Sequence, residues 1–210
     1  MLIAMKERSF VVTIAYTKTE PVLVAIFSIL FLSETPTALV GLAIVVATLG
    51  VLVMSMPRGG AGESISPRPA LTGLASAAFF GLSATGYRGT ILAISSPSYI
   101  MTATTTLAMG LTMQCVFIVA WLALRDRALL AAIMRAWRPS LLAGFMGALA
   151  SQFWFLGFAI STPAKVRTLA LVEVIFAQVV SRGVFRQGAS ARELAGMGLI
   201  VAGVIALLNG

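Results

Sequence analysis

Apolar residues in this chain gather in long stretches free of any charge: Thr35 to Pro57, Pro69 to Tyr87, Gly89 to Leu124, Pro139 to Ala164 and Leu194 to Gly210. Each is near or above the roughly 18 residues that read as a membrane-spanning helix, and the longest also contains the Ser95-Ser96-Pro97 turn. A closed barrel would need strands of about ten residues alternating apolar and polar, and nothing here alternates for that long. Helices are the remaining way to satisfy the backbone in lipid. The pattern predicts spans at 20–33, 36–55, 70–88, 98–124, 139–160, 166–185 and 194–208. The expected fold is an all-α membrane protein, a polytopic helical bundle of about seven transmembrane helices.

Composition agrees: 59% of residues are hydrophobic and 10% charged, against roughly 25% charged in a soluble domain. Mean hydropathy is +1.00. A net charge of +8 in a soluble chain would suggest nucleic acid. Here the basic residues flank apolar spans, where loop asymmetry and anionic lipid headgroups explain them more simply. The bilayer is the expected partner and nucleic acid is not. The longest connection, Met56 to Arg68, is rich in Gly, Pro and Ser and reads as a linker at 56–68 between two parts, 1–55 and 69–210. The first 17 residues are too short to span once Lys6, Glu7 and Arg8 interrupt them, and they lack a signal-peptide cleavage site. They read as the tail end of a helix.

Enzyme classes fall away. With no histidine, His-based acid/base chemistry, most zinc sites and a serine–histidine pair are absent, so Gly81-Leu82-Ser83-Ala84 has no partner base. Cys115, the single cysteine, lies in an apolar helix and offers neither a disulfide nor a metal cluster. No phosphate-binding G-x-x-x-x-G-K-[ST] loop is present, so the chain is not itself an ATP-driven motor. No cofactor and no metal are expected.

An internal comparison adds organisation. Shifting Glu20 to Met54 by 153 positions places Glu20 on Glu173, Ser28 on Ser181, Ala38 on Ala191, Gly50 on Gly203 and Val51 on Val204. Each matched segment is a helix, a short polar turn and a Gly-bearing helix, the order expected of a duplicated transporter. The segment KTEPVLVAIFSILFLSETPTALVGLAIVVATLGVLVMS resembles the end of the first EamA domain of the drug/metabolite transporter superfamily. The segment from Pro69 onward, with LVEVIFAQVVSRGVF and ELAGMGLIVAGVIALL, resembles the whole second domain.

The resemblance implies part of a ten-helix fold of two inverted five-helix repeats around a central cavity, with this chain beginning inside the third helix. It also implies a secondary transporter, an exporter of small metabolites or drugs by alternating access, in a bacterial inner membrane. Proton coupling and a homodimer or helper subunit stay open as partners. The competing expectation is a membrane accessory subunit without a transport path, or an inactive fragment of a transporter.

Polar residues at bilayer depth are the candidates for function, because such groups are costly there and normally face a pathway. Glu173 and Gln178 share one helix, Gln152 and Trp154 another. The expectation is that Glu173 takes up a proton or a cationic group, while Gln152, Gln178 and Trp154 orient and stack the substrate. Glu20 is the second acid, although Lys18 beside it makes an interfacial salt bridge the simpler reading. Gln114 and Thr104-Thr105-Thr106 read as packing groups, and Arg88, Arg182 and Arg186 as snorkelling side chains.

Small residues every four positions predict close-packing seams at Gly73, Ala77, Gly81, Thr85 and Gly89, at Ala143, Gly147 and Ser151, and at Gly198, Ala202 and Ala206. Loop charges place Lys18, Arg58, Arg68, Arg125, Arg127, Arg135, Arg138, Arg182, Arg186 and Arg192 on one side, against Arg88, Lys165 and Arg167. That would leave the C-terminus outside, whereas the resemblance implies inside.

Overall fold

The computed structural model describes residues 16–55, 67–185 and 190–210, with backbone only at 55, 67–69 and 180–185. Among the described residues the elements are helices: α1 (Glu20–Leu32), α2 (Ala38–Ser55), α3 (Pro67–Ala93), α4 (Tyr99–Arg125), α5 (Arg127–Arg135), α6 (Trp137–Ile160), α7 (Pro163–Leu169), α8 (Val172–Phe185) and α9 (Ala191–Leu208). Local chemistry sets several of their ends. Ser98, Asp126 and Thr162 each accept a hydrogen bond from the third residue of the helix that follows, and Ser190 with Glu193 forms a full capping box on α9. Helix α1 stops where Ser33 turns left-handed at φ 55°, a conformation that a non-glycine residue holds only at a cost.

Three helices, Tyr99–Arg125, Trp137–Ile160 and Ala191–Leu208, are long and apolar enough to cross a membrane, while Glu20–Leu32 and Ala38–Met54 are shorter apolar helices. This fits an α-helical membrane protein. The expected span over 166–185 is interrupted: Ala170 and Leu171 form a turn between α7 and α8. The expected loop from Arg125 to Arg138 holds a helix of its own, α5.

The chain divides into two compact units, the described residues of Met1–Gly86 with Thr162–Gly210, and Tyr87–Ser161. The core of the first lies between α2 and α9. Ala47, Val51, Leu171 and Ile200 are buried together, with Met54, Val174, Ile175 and Val204 packed against them. Glycine makes this possible. A Cβ placed on Gly50 would fall 2.7 Å from the Gly196 carbonyl oxygen and 2.8 Å from the Ile200 nitrogen; one on Gly203 would fall 2.9 Å from the Ala43 oxygen and 2.7 Å from the Ala47 nitrogen. Gly50, late in α2, meets Gly196 early in α9, whereas Gly210 just past α9 meets Val40 early in α2, so the two helices run antiparallel.

The seams are corrected in part. Gly73, Ala77, Gly81 and Thr85 are buried as expected, and a Cβ on Gly81 would press on Val24 and Phe27 of α1. On α9, however, Gly198 has open space around it and Ala202 is exposed; the buried line is Gly196, Ile200, Gly203 and Leu207. Gly198 stands two residues from Gly196, about 200° around the helix, so the expected seam lies on the opposite face of α9 from the buried line. Gly147 likewise has nothing within 4 Å.

In the second unit, α4 and α6 fold back on each other through α5. Gln152 Nε2 donates to Thr104 Oγ1 at 3.0 Å, and Tyr87 stacks on Phe155 with ring centroids 4.6 Å apart. Most large apolar side chains of α4 and α6 remain exposed, which fits an α-helical membrane protein.

Candidate functional site

Two interrupted helices meet in the first unit. Residues 16–17 are helical, 18–19 turn, and α1 restarts on Glu20; residues 163–169 are helical, 170–171 turn, and α8 restarts just before Glu173. The interruptions match to within one residue under the 153-residue shift, and both acids sit in the first turn of a helix, where the free N–H groups favour negative charge. Short three-residue turns close the gaps: Thr19 N–H donates to Tyr16, Leu171 N–H to Thr168 and Glu173 N–H to Ala170. Glu173, expected near the middle of a helix, therefore stands at the start of one.

Each acid is held by a cation from the other interruption. Lys18 Nζ donates to Glu173 Oε1. Arg167 Nε lies 3.0 Å from Glu20 Oε1, at ion-pair distance without hydrogen-bond alignment. Lys18 thus does not pair with its neighbour Glu20, and Lys18 and Arg167, assigned above to opposite sides, belong to one cluster. The two pairs differ in access. Glu20 keeps 15% of its side-chain surface and Glu173 keeps 58%. Two acids and two bases balance, so the mostly buried pair of Glu20 and Arg167 carries no net charge, and a cation that displaces Lys18 finds the exposed Glu173 carboxylate. Among the described residues no three of His, Cys, Asp or Glu gather as a metal would require.

The remaining expected site residues are distributed. Gln178 lies further along α8 and is half-buried. Gln152 and Trp154 belong to the second unit, where Gln152 bonds Thr104 and Trp154 stacks against Phe158 with centroids 6.0 Å apart. Gln114 donates to the Tyr87 hydroxyl at 3.4 Å. Arg88 does not snorkel: its Nη1 donates to the Phe158 and Ala159 carbonyls at 2.6 and 3.1 Å, capping the end of α6. The side chains of Arg182 and Arg186 lie outside the described residues. Arg167 was missed as a site residue because no local spacing ties it to Glu20, 147 positions away.

The α2–α9 contact carries the same numerical relation. Gly50 against Gly196 and Ile200 becomes, under the 153-residue shift, Gly203 against Ala43 and Ala47, with carbonyl oxygen and amide nitrogen recurring in the same roles. A local two-fold relation exchanges the two helices.

Neither a protein-family model nor a curated protein matches the chain. A solved structure described only as "Crystal structure of protein" shares its fold, with a TM-score of 0.65 over 98% of this chain and 70% of its own, at 15% identity. At that identity the likeness speaks to the fold alone.

Proposed function

We propose that the chain is a secondary transporter of small metabolites or drugs, working as an exporter by alternating access in a bacterial inner membrane and belonging to the EamA drug/metabolite transporters. The observation that carries this reading is the crossed ion pairing of Glu20 and Glu173 at two matched helix interruptions. Interrupted helices that place charge beside exposed backbone ends are the usual material of transporter sites. The exchange of α2 and α9 supports it too. A two-fold axis relating antiparallel spanning helices lies in the plane of the bilayer, the arrangement of an inverted repeat. On this reading seven helices span, as part of a ten-helix fold.

In the mechanism, Glu173 is the accessible acid and exchanges Lys18 for a proton or a cationic substrate group. Glu20 stays with Arg167 and holds the second interruption in place. Gln178, on the same helix as Glu173, supplies hydrogen bonding. Vesicles containing the full chain should release preloaded ethidium or a radiolabelled amino acid faster than protein-free vesicles, at a rate that follows the pH difference. Glu173→Gln should flatten that dependence. Unchanged pH-dependent release removes the role given to Glu173, and no release above the protein-free rate overturns transport by this chain.

A second reading, an accessory subunit, draws on the open space around Gly144 and Gly147 of α6, which leaves room for another helix. Co-purification of a second membrane protein together with absent transport would favour it.

A further inference from the structure

Helix α5 connects α4 and α6, two of the helices long enough to cross a membrane, and takes no part in the site above. Seven of its nine residues mark two sides: Leu129, Leu130 and Ile133 lie on one, with Met134 at its edge beside Arg127, and Ala131 and Arg135 lie on the other. None of its residues is buried, and Met134 keeps 67% of its surface. An apolar face left uncovered by the protein must be covered by something else. Its neighbours say what. A helix of 27 residues is about 40 Å long, more than the roughly 30 Å of hydrocarbon, so the end of α4 reaches the headgroups.

Charge says which headgroups. Arg125, Arg127, Arg135 and Arg138 stand within this short connection against the single acid Asp126, which is occupied in capping the helix through Leu129 N–H at 2.9 Å. Arg127 Nε also donates to the Ala123 carbonyl at 2.9 Å, which fixes its position at the end of α4. Arg138 lies over the Trp137 ring at 5.3 Å, and an exposed Trp at a span's start is a headgroup-level anchor.

We propose that α5 lies in the membrane interface, its Leu129/Leu130/Ile133 face toward the acyl chains and its arginines bound to the phosphates of anionic phospholipids. This rests on the membrane reading and not on transport. Nitroxide labels at Ile133→Cys, Ala131→Cys and Met113→Cys, in a Cys115→Ala background of the full chain, test it in phosphatidylcholine vesicles with and without phosphatidylglycerol. The label at Met113, on the exposed surface of α4, is the control for membrane insertion. Ile133 should be reached by oxygen and shielded from a nickel chelate, Ala131 should show the reverse, and phosphatidylglycerol should deepen Ile133. Preference for spin-labelled phosphatidylglycerol should fall by about fivefold for each of Arg127→Gln and Arg135→Gln. Equal nickel access at Ile133 and Ala131, or depth and lipid preference unchanged by phosphatidylglycerol or by the arginine substitutions, overturns the proposal. A nickel-accessible Met113 overturns the membrane reading along with it.

Discussion

Two pairs of apolar helices in this molecule solve the same packing problem differently. Helices α2 and α9 approach until backbone meets backbone, because Gly50, Gly196 and Gly203 remove the side chains that would separate them. Helices α4 and α6 carry small residues as well, yet Gly144 and Gly147 face open space and the pair is joined through the Gln152–Thr104 hydrogen bond. Small residues permit close approach; they do not cause it. Approach needs a partner whose own small residues fall opposite, and the 153-residue relation supplies that to α2 and α9.

The largest effect that separates the two pairs is expected at Gly203. A Val there would drive its Cβ into the Ala47 nitrogen and Ala43 oxygen, backbone atoms that cannot step aside, and should cost on the order of 3 kcal/mol. Unfolding in mixed detergent micelles reads this, and an unshifted midpoint would mean that the two helices are not locked. Next comes the charge cluster. Arg167→Met strands the mostly buried Glu20 and should cost about 2 kcal/mol, less than the roughly 3–5 of a fully buried pair. Lys18→Met frees the exposed Glu173 and should cost below about 1 kcal/mol. Equal costs in the same assay would erase the difference in burial between the two pairs. The smallest effect has the opposite sign: Gly147→Ala meets nothing within 4 Å and should stabilise α6 by about 0.5 kcal/mol, through helix propensity alone. Destabilisation there would reveal a close neighbour on α6.

What the sequence made legible follows from which forces are local. Long charge-free stretches located α2, α3, α4, α6 and α9, since helix formation in lipid depends on composition over about 20 residues. The cut between α7 and α8 was invisible, because Thr168-Leu169-Ala170-Leu171 contains neither Gly nor Pro. Helix α5 is hidden for a different reason: its arginines end the charge-free stretches on either side of it, although its two-sided pattern is present. At the site, Glu20 and Glu173 stood out as acids in apolar company, and the repeat matched them. Their partners could not be chosen locally, for Lys18 reaches past its neighbour Glu20 to an acid 155 positions away.

The turn at Ala170 and Leu171 has one more implication. A proline would hold such an interruption open whatever surrounds it, whereas this one has no stereochemical lock of its own. Leu171 is buried with Ala47, Val51 and Ile200, so the tertiary core keeps the two half-helices apart. The interruption is therefore a joint rather than a scar: its angle is on loan from α2 and α9, and any loosening of that pair is felt one residue before Val172 and two before Glu173.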